Sequence, residues 1–161
     1  MRFRFSVICV ITLGLLSGCG PERATKTESV TQSGVTVSGS MSEAPQISFG
    51  SDAKDVAQLI VKDVTSGSGT AVGPNSTVTA HYVGYSMSNQ EKFDSSWERG
   101  EPTTFPLNGV IQGWTQGLQG MKVGGRRLLI IPPELAYGPA GSGHQLAGQT
   151  LVFVVDLTAV S

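Results

Sequence analysis

The chain has 161 residues, with 11 Lys+Arg against 12 Asp+Glu and a formal net charge of −1. No basic run or stripe is present, so the electrostatic footprint of a nucleic-acid binder is missing. Both cysteines, Cys9 and Cys19, lie in or directly after the apolar N-terminal stretch, which leaves no thiolate zinc site in the rest of the chain.

Arg2 and Arg4 form a short positive region ahead of the apolar stretch from Phe5 to Leu16. That stretch is too short to cross a hydrocarbon core ~30 Å thick as a helix, and it reads as a signal peptide over residues 1–18. It ends in Leu16-Ser17-Gly18-Cys19, which resembles a bacterial lipobox. The resemblance implies cleavage before Cys19, lipidation of its thiol and a membrane-anchored lipoprotein facing the periplasm. Two or more acyl chains hold a protein on a bilayer where one barely does. Gly20 follows the cysteine, which favours the outer membrane over the inner one. Cys9 is lost with the signal, so no disulfide remains available, and removal of Arg2 and Arg4 takes the formal charge to −3.

Residues 19–57 are rich in Ser, Thr and Gly, with Met41, Ile47 and Phe49 as isolated large apolar residues. This composition predicts a flexible tether with a reach of roughly 30–35 Å that contributes nothing to a core.

Residues 58–161 fit one domain. Leu59-Ile60-Val61 opens a strand ending at Gly67-Ser68-Gly69. From Thr77 to Val83 the pattern alternates, with Val78, Ala80 and Tyr82 on one face and His81 on the other. Ile111, Trp114 and Leu118 recur at helical spacing in a short helix within 111–121. Arg126–Ile131 and Thr150–Val160 read as strands, the second with Leu151, Phe153, Val155 and Leu157 on one face. Arg126 and Arg127 read as solvated charges at a strand start, His144 as a loop residue, and the glycines between 109 and 125 as turn residues. Many strands and one helix predict an α+β fold, with the helix on one face of an antiparallel sheet.

Five short motifs carry a sharper message. They are His81-Tyr82-Val83-Gly84, Phe93-Asp94-Ser95-Ser96, Val110-Ile111-Gln112-Gly113-Trp114, Ala136-Tyr137-Gly138 and Thr150-Leu151-Val152-Phe153. In this order they resemble the FKBP-type peptidyl-prolyl cis–trans isomerases over residues 59–160. The resemblance implies a curved antiparallel sheet of about five strands wrapped around one short helix. It also implies a monomer that needs no cofactor or metal.

Rotation about a peptide bond must break amide resonance, a barrier of ~18–20 kcal/mol. The twisted carbonyl is less polar than the planar one, so an apolar, water-poor pocket favours the transition state over the substrate. By the resemblance, Trp114 is the pocket floor, Tyr82, Phe93 and Phe153 are walls, and Val110, Ile111 and Leu146 line the rim. The backbone N–H of Ile111 would hold a substrate carbonyl, and the Tyr137 hydroxyl would donate to the carbonyl before the proline. Asp94, oriented by Tyr82 and Arg99, would face the rotating carbonyl. Thr103 after Glu101-Pro102 makes one wall polar and smaller, and Gln145-Leu146-Ala147-Gly148 makes the flap less apolar than in the family. The implied partners are proline-containing segments of unfolded or folding envelope proteins, and macrolides of the rapamycin or tacrolimus type. The alternative on the same fold is a non-catalytic proline-peptide binder or holdase.

Overall fold

A computed structural model describes residues 28–161; the expected signal peptide and lipidated Cys19 fall outside the described residues. Nine strands run in chain order: β1 (Glu28–Gln32), β2 (Val35–Gly39), β3 (Gln46–Phe49), β4 (Ile60–Thr65), β5 (Thr77–Ser86), β6 (Lys92–Ser95), β7 (Thr103–Pro106), β8 (Arg126–Ile131) and β9 (Leu151–Val160). Two short α-helices accompany them, α1 (Ser96–Arg99) and α2 (Gln112–Gly117).

The principal sheet has the order β4-β8-β9-β5-β6, all antiparallel, and β7 pairs with β5 as well. β7 lies along Thr77–Ala80 and β6 along Val83–Tyr85, so the two share one edge of β5 and six strands fill five positions. Register shifts at Thr79/Ala80 and Gly84/Tyr85 interrupt the β5 ladders. Such bulges bend a strand and increase its twist.

The period of two in β9 splits its side chains between two cores. Leu151, Phe153, Val155 and Leu157 join Tyr82, Leu129, Ile131, Trp114 and Leu118 on the α2 side. Helix α2 lies close to β8: a Cβ on Gly113 would fall 2.4 Å from Ile131 Cγ2, and one on Gly117 would fall 2.7 Å from Leu129 Cδ2. These two glycines therefore serve helix–sheet contact rather than the turns expected of them. Leu128 and Ile130 of β8 and Val152 and Val154 of β9 point to the opposite face.

That opposite face is covered, which corrects the expected tether. Residues 28–49 form a three-stranded antiparallel sheet of order β1-β2-β3. Val35 and Val37 are fully buried against Leu128, Ile130, Val152 and Val154, and Val30, Ile47, Phe49, Ala53 and Val56 pack around them. The physical reason is local. Ser33 and Gly34 both have positive φ (49° and 75°), the backbone of a two-residue hairpin loop whose twist matches its strands. On either side, Val30 and then Val35 and Val37 alternate with polar residues. A Ser/Thr-rich composition concealed this period.

Arg126 and Arg127 are a second correction. Arg126 is fully buried and ion-paired with Asp156, and Arg127 is nearly buried and paired with Asp63. Arg127 also donates to the carbonyls of Gly117 and Gln119 at 2.9 and 3.1 Å, which secures the end of α2 to β8. Both strand faces are covered here, so charges at these positions stay only with partners.

Candidate active site

Three elements converge on the α2 side of the sheet: β5 with its edge partners β6 and β7, the segment Gly109–Trp114, and the loop after β8. They enclose an open cleft of about 310 Å³ lined by Tyr82, Phe93, Asp94, Phe105, Gly109, Val110, Ile111, Trp114, Tyr137 and Phe153. Trp114 sits at the centre of the aromatic set. Its ring meets Tyr82, Phe105 and Phe153 edge-on, at centroid distances of 5.4, 5.3 and 5.4 Å. Phe93 meets Phe153 in the same way at 5.5 Å. Edge-to-face packing fixes the rings beyond what area burial alone supplies. The indole Nε1 of Trp114 is buried without a hydrogen-bond partner among the described residues.

The acidic wall is a closed polar triad. The Tyr82 hydroxyl donates to Asp94 Oδ2, Arg99 Nη1 donates to Asp94 Oδ1 at 2.5 Å, and Arg99 Nη2 donates to the Tyr82 hydroxyl at 2.9 Å. The Arg99 guanidinium also lies 5.6 Å from the Tyr82 ring centroid. Burial pushes the Asp94 carboxyl up, but the hydrogen bonds from Tyr82 and Arg99 outweigh it and hold the group below its ordinary value. Burial first, and then the neighbouring Asp94, push both tyrosines of the site, Tyr82 and Tyr137, above the ordinary phenol value. The site thus presents a fixed carboxylate together with neutral phenols.

Opposite Asp94, the hydroxyl of Tyr137 makes no hydrogen bond within the described residues, and its ring stacks on His144 at 3.7 Å, nearly parallel (7°). The His144 Nδ1 accepts from the Leu146 backbone N–H at 3.1 Å, a bond internal to the loop. Helix α2 starts where Trp114 and Thr115 donate their N–H groups to the Ile111 carbonyl, and Thr115 Oγ1 donates to the Leu107 carbonyl at 2.6 Å. These bonds hold Val110 and Ile111 at the cleft rim.

Every expected site residue within the isomerase domain lies in this cleft except Leu146. That residue lines a neighbouring cleft of about 280 Å³ on the other side of Phe93, with Lys92 and Gln149. The loop folds back on itself through a Gly148 N–H to Gly138 carbonyl bond of 2.8 Å, which takes Leu146 away from the aromatic cleft. The expected polar wall at Thr103 is likewise corrected. Two residues on, Phe105 supplies an aromatic wall, its ring 5.7 Å from Tyr82. Alternation along β7 was the signal for it, since Thr103 and Phe105 face the same side.

Ser96 is a supporting residue that composition did not reveal. It is fully buried, and its hydroxyl accepts from the Tyr82 backbone N–H at 2.8 Å and contacts His81 Nδ1 at 3.0 Å. His81 itself turns away from the cleft and stacks on Trp97 at 4.1 Å.

A family model described as FKBP-type peptidyl-prolyl cis-trans isomerase matches residues 69–158, more than half of the chain. The chain belongs to the FKBP-type peptidyl-prolyl cis-trans isomerase family. A probable FK506-binding protein of Corynebacterium glutamicum is 57% identical over 99 residues, covering 62% of this chain and 84% of its own. The FK506-binding protein of Streptomyces anulatus is 50% identical over 122 residues, covering 73% and 98%. In the crystal structure of FkpA from Escherichia coli, the likeness has a TM-score of 0.60 at 44% identity, covering 67% of this chain and 51% of that one. The isomerase thus catalyses cis–trans rotation at X–Pro bonds.

Proposed function

We propose that this isomerase works in the cell envelope, tethered to the outer membrane through a lipidated Cys19 and acting on extended proline-containing segments of folding envelope proteins. The observation that carries the catalytic part is the pairing of an apolar aromatic cleft with an Asp94 carboxylate already bonded on both oxygens by Tyr82 and Arg99. Proline occupies the space above Trp114, between Tyr82, Phe93, Phe105 and Phe153. The carbonyl preceding it rotates beside Asp94. Because that carboxylate is pre-oriented, its charge acts on the rotating dipole without reorganisation at the barrier. The unpartnered Tyr137 hydroxyl and the Ile111 backbone N–H hold the flanking carbonyls, so binding energy is used to orient the twisted amide.

The envelope location rests on the lipobox-like Leu16-Ser17-Gly18-Cys19 and the apolar stretch before it. With Phe105 completing an apolar wall, the cleft also suits a bulky macrolide. A protease-coupled proline-peptide assay tests the catalytic reading: turnover lost with Asp94→Val and Tyr137→Phe supports it. Peptide binding without turnover in the wild-type protein would return it to a holdase. Fractionation of a Cys19→Ser variant tests the location: release from membranes, or an unprocessed precursor, is the expected result.

A further inference from the structure

The three-stranded sheet lies on the face of the principal sheet opposite the proline cleft. Val152 and Val154 of β9 point into the N-terminal layer, while Phe153 and Val155 point to the cleft side. The layer also has a direction. Glu28 pairs with Gly39, whose carbonyl accepts from Arg126 Nη1 at 3.4 Å, and Arg126 pairs with Asp156 across β8 and β9. At the other end, Phe49 contacts the Tyr85 ring at 5.8 Å, close to the Ser86↔Leu151 pair from which the Tyr137-bearing loop emerges. The chain therefore enters the folded body on the outer face, at the end remote from that loop.

Eight residues, 20–27, separate Cys19 from Glu28. Fully extended, that link spans at most about 30 Å, whereas a folded body of this size is about 35 Å across. With Cys19 in the bilayer, the link cannot run around the body and let the cleft face the lipid. The outward side chains of the layer fit the position this leaves them. Ser29, Thr31, Thr36, Ser38, Gln46 and Ser48 are all uncharged; Glu28, at the start of β1, alternates onto the side of Val30, and Glu43, Asp52, Lys54 and Asp55 sit in the connecting loops. A hydroxyl and amide face meets an anionic headgroup layer without like-charge repulsion, although the chain after Cys19 carries a formal charge of −3.

We propose that the outer face of the β1-β2-β3 sheet is the surface this protein lays against lipid headgroups, so that the proline cleft opens to the aqueous side. This rests on the lipid anchor proposed above. The test uses residues 19–161, whose one thiol is Cys19, coupled to a maleimide lipid in phosphatidylcholine–phosphatidylglycerol nanodiscs doped with a gadolinium-chelate lipid. Amide signals of Ser29, Thr31, Thr36, Ser38 and Ser48 should be lost to paramagnetic broadening, while those of Tyr137, Ser142 and Gly143 survive. Broadening spread evenly over both faces, or concentrated at the cleft loop, would overturn the orientation. In cells, a Cys19→Ser chain that remains membrane-bound as mature protein would overturn the anchor, and the proposal with it. An anchored wild type with evenly broadened amides removes the orientation alone.

Discussion

Arg126 donates Nε and Nη2 to the two carboxylate oxygens of Asp156, at 2.5 and 2.6 Å, with side-chain exposures of 0% and 3%. The same guanidinium donates to the carbonyls of Gly39 and Glu43 at 3.4 and 2.8 Å. One buried cation thus joins the isomerase sheet to the layer that covers it. Burial pushes the Asp156 carboxyl up against the pull of Arg126, as expected where desolvation costs more than pairing returns.

Arg126→Met alone should destabilise the protein by about 3–5 kcal/mol, because it leaves Asp156 buried without its partner. Arg126→Met combined with Asp156→Leu should recover most of that loss. Urea unfolding midpoints at fixed slope measure both. A double variant no more stable than the single would show that the links to Gly39 and Glu43, rather than the ion pair, carry the cost.

A chain beginning at Ala57 should keep the cleft but lose at least about 3 kcal/mol, since Val35 and Val37 are fully buried and each contributes ~1.5 kcal/mol or more. It should also expose Leu128, Ile130, Val152 and Val154 and bind a hydrophobic dye. An unchanged unfolding midpoint would refute a structural role for the layer.

Gly84→Ala should damage the site through its walls. A Cβ there would fall 2.7 Å from Phe93 Cζ and 2.9 Å from Phe153 Cε1, so both rings must move. Overpacking of this kind costs about 1–3 kcal/mol, and kcat/KM for a proline peptide should fall about tenfold or more. Retention of full activity would mean that the rings are not held as tightly as their contacts imply.

Asp94→Val and Tyr137→Phe should each lower kcat/KM by about ten- to a hundredfold, the loss expected for one or two hydrogen bonds in a water-poor site. The pH dependence follows from the same groups. Asp94 is lowered in the folded state, so its share of stability is present above the ordinary carboxylate value and is lost as pH falls through the lowered one. Tyr82 and Tyr137 are raised, so their share is present below the ordinary phenol value and is lost as pH rises through the raised ones. Judged by these three groups, activity should stay level between about pH 5 and 9. An inflection inside that range would show that a group other than these three controls turnover.

The order of motifs from Tyr82 to Phe153 was enough to indicate the family, its cleft and its polar triad, because an aromatic pocket needs particular side chains at particular strand positions. The sequence also carried a sign of the second layer. Leu128–Ile131 and Leu151–Val155 are unbroken apolar runs, as in strands covered on both faces, and the Ser33-Gly34 hairpin stands between two alternating segments. What it could not reveal was which residues meet. Arg126 looks like a surface charge until β9 brings Asp156 beside it and the loop after β2 supplies Glu43. Leu146 resembles a rim residue until the loop's own hydrogen bonds carry it past Phe93. Composition and period act over a few residues, whereas these contacts join positions tens of residues apart, and only the folded chain determines which of them close.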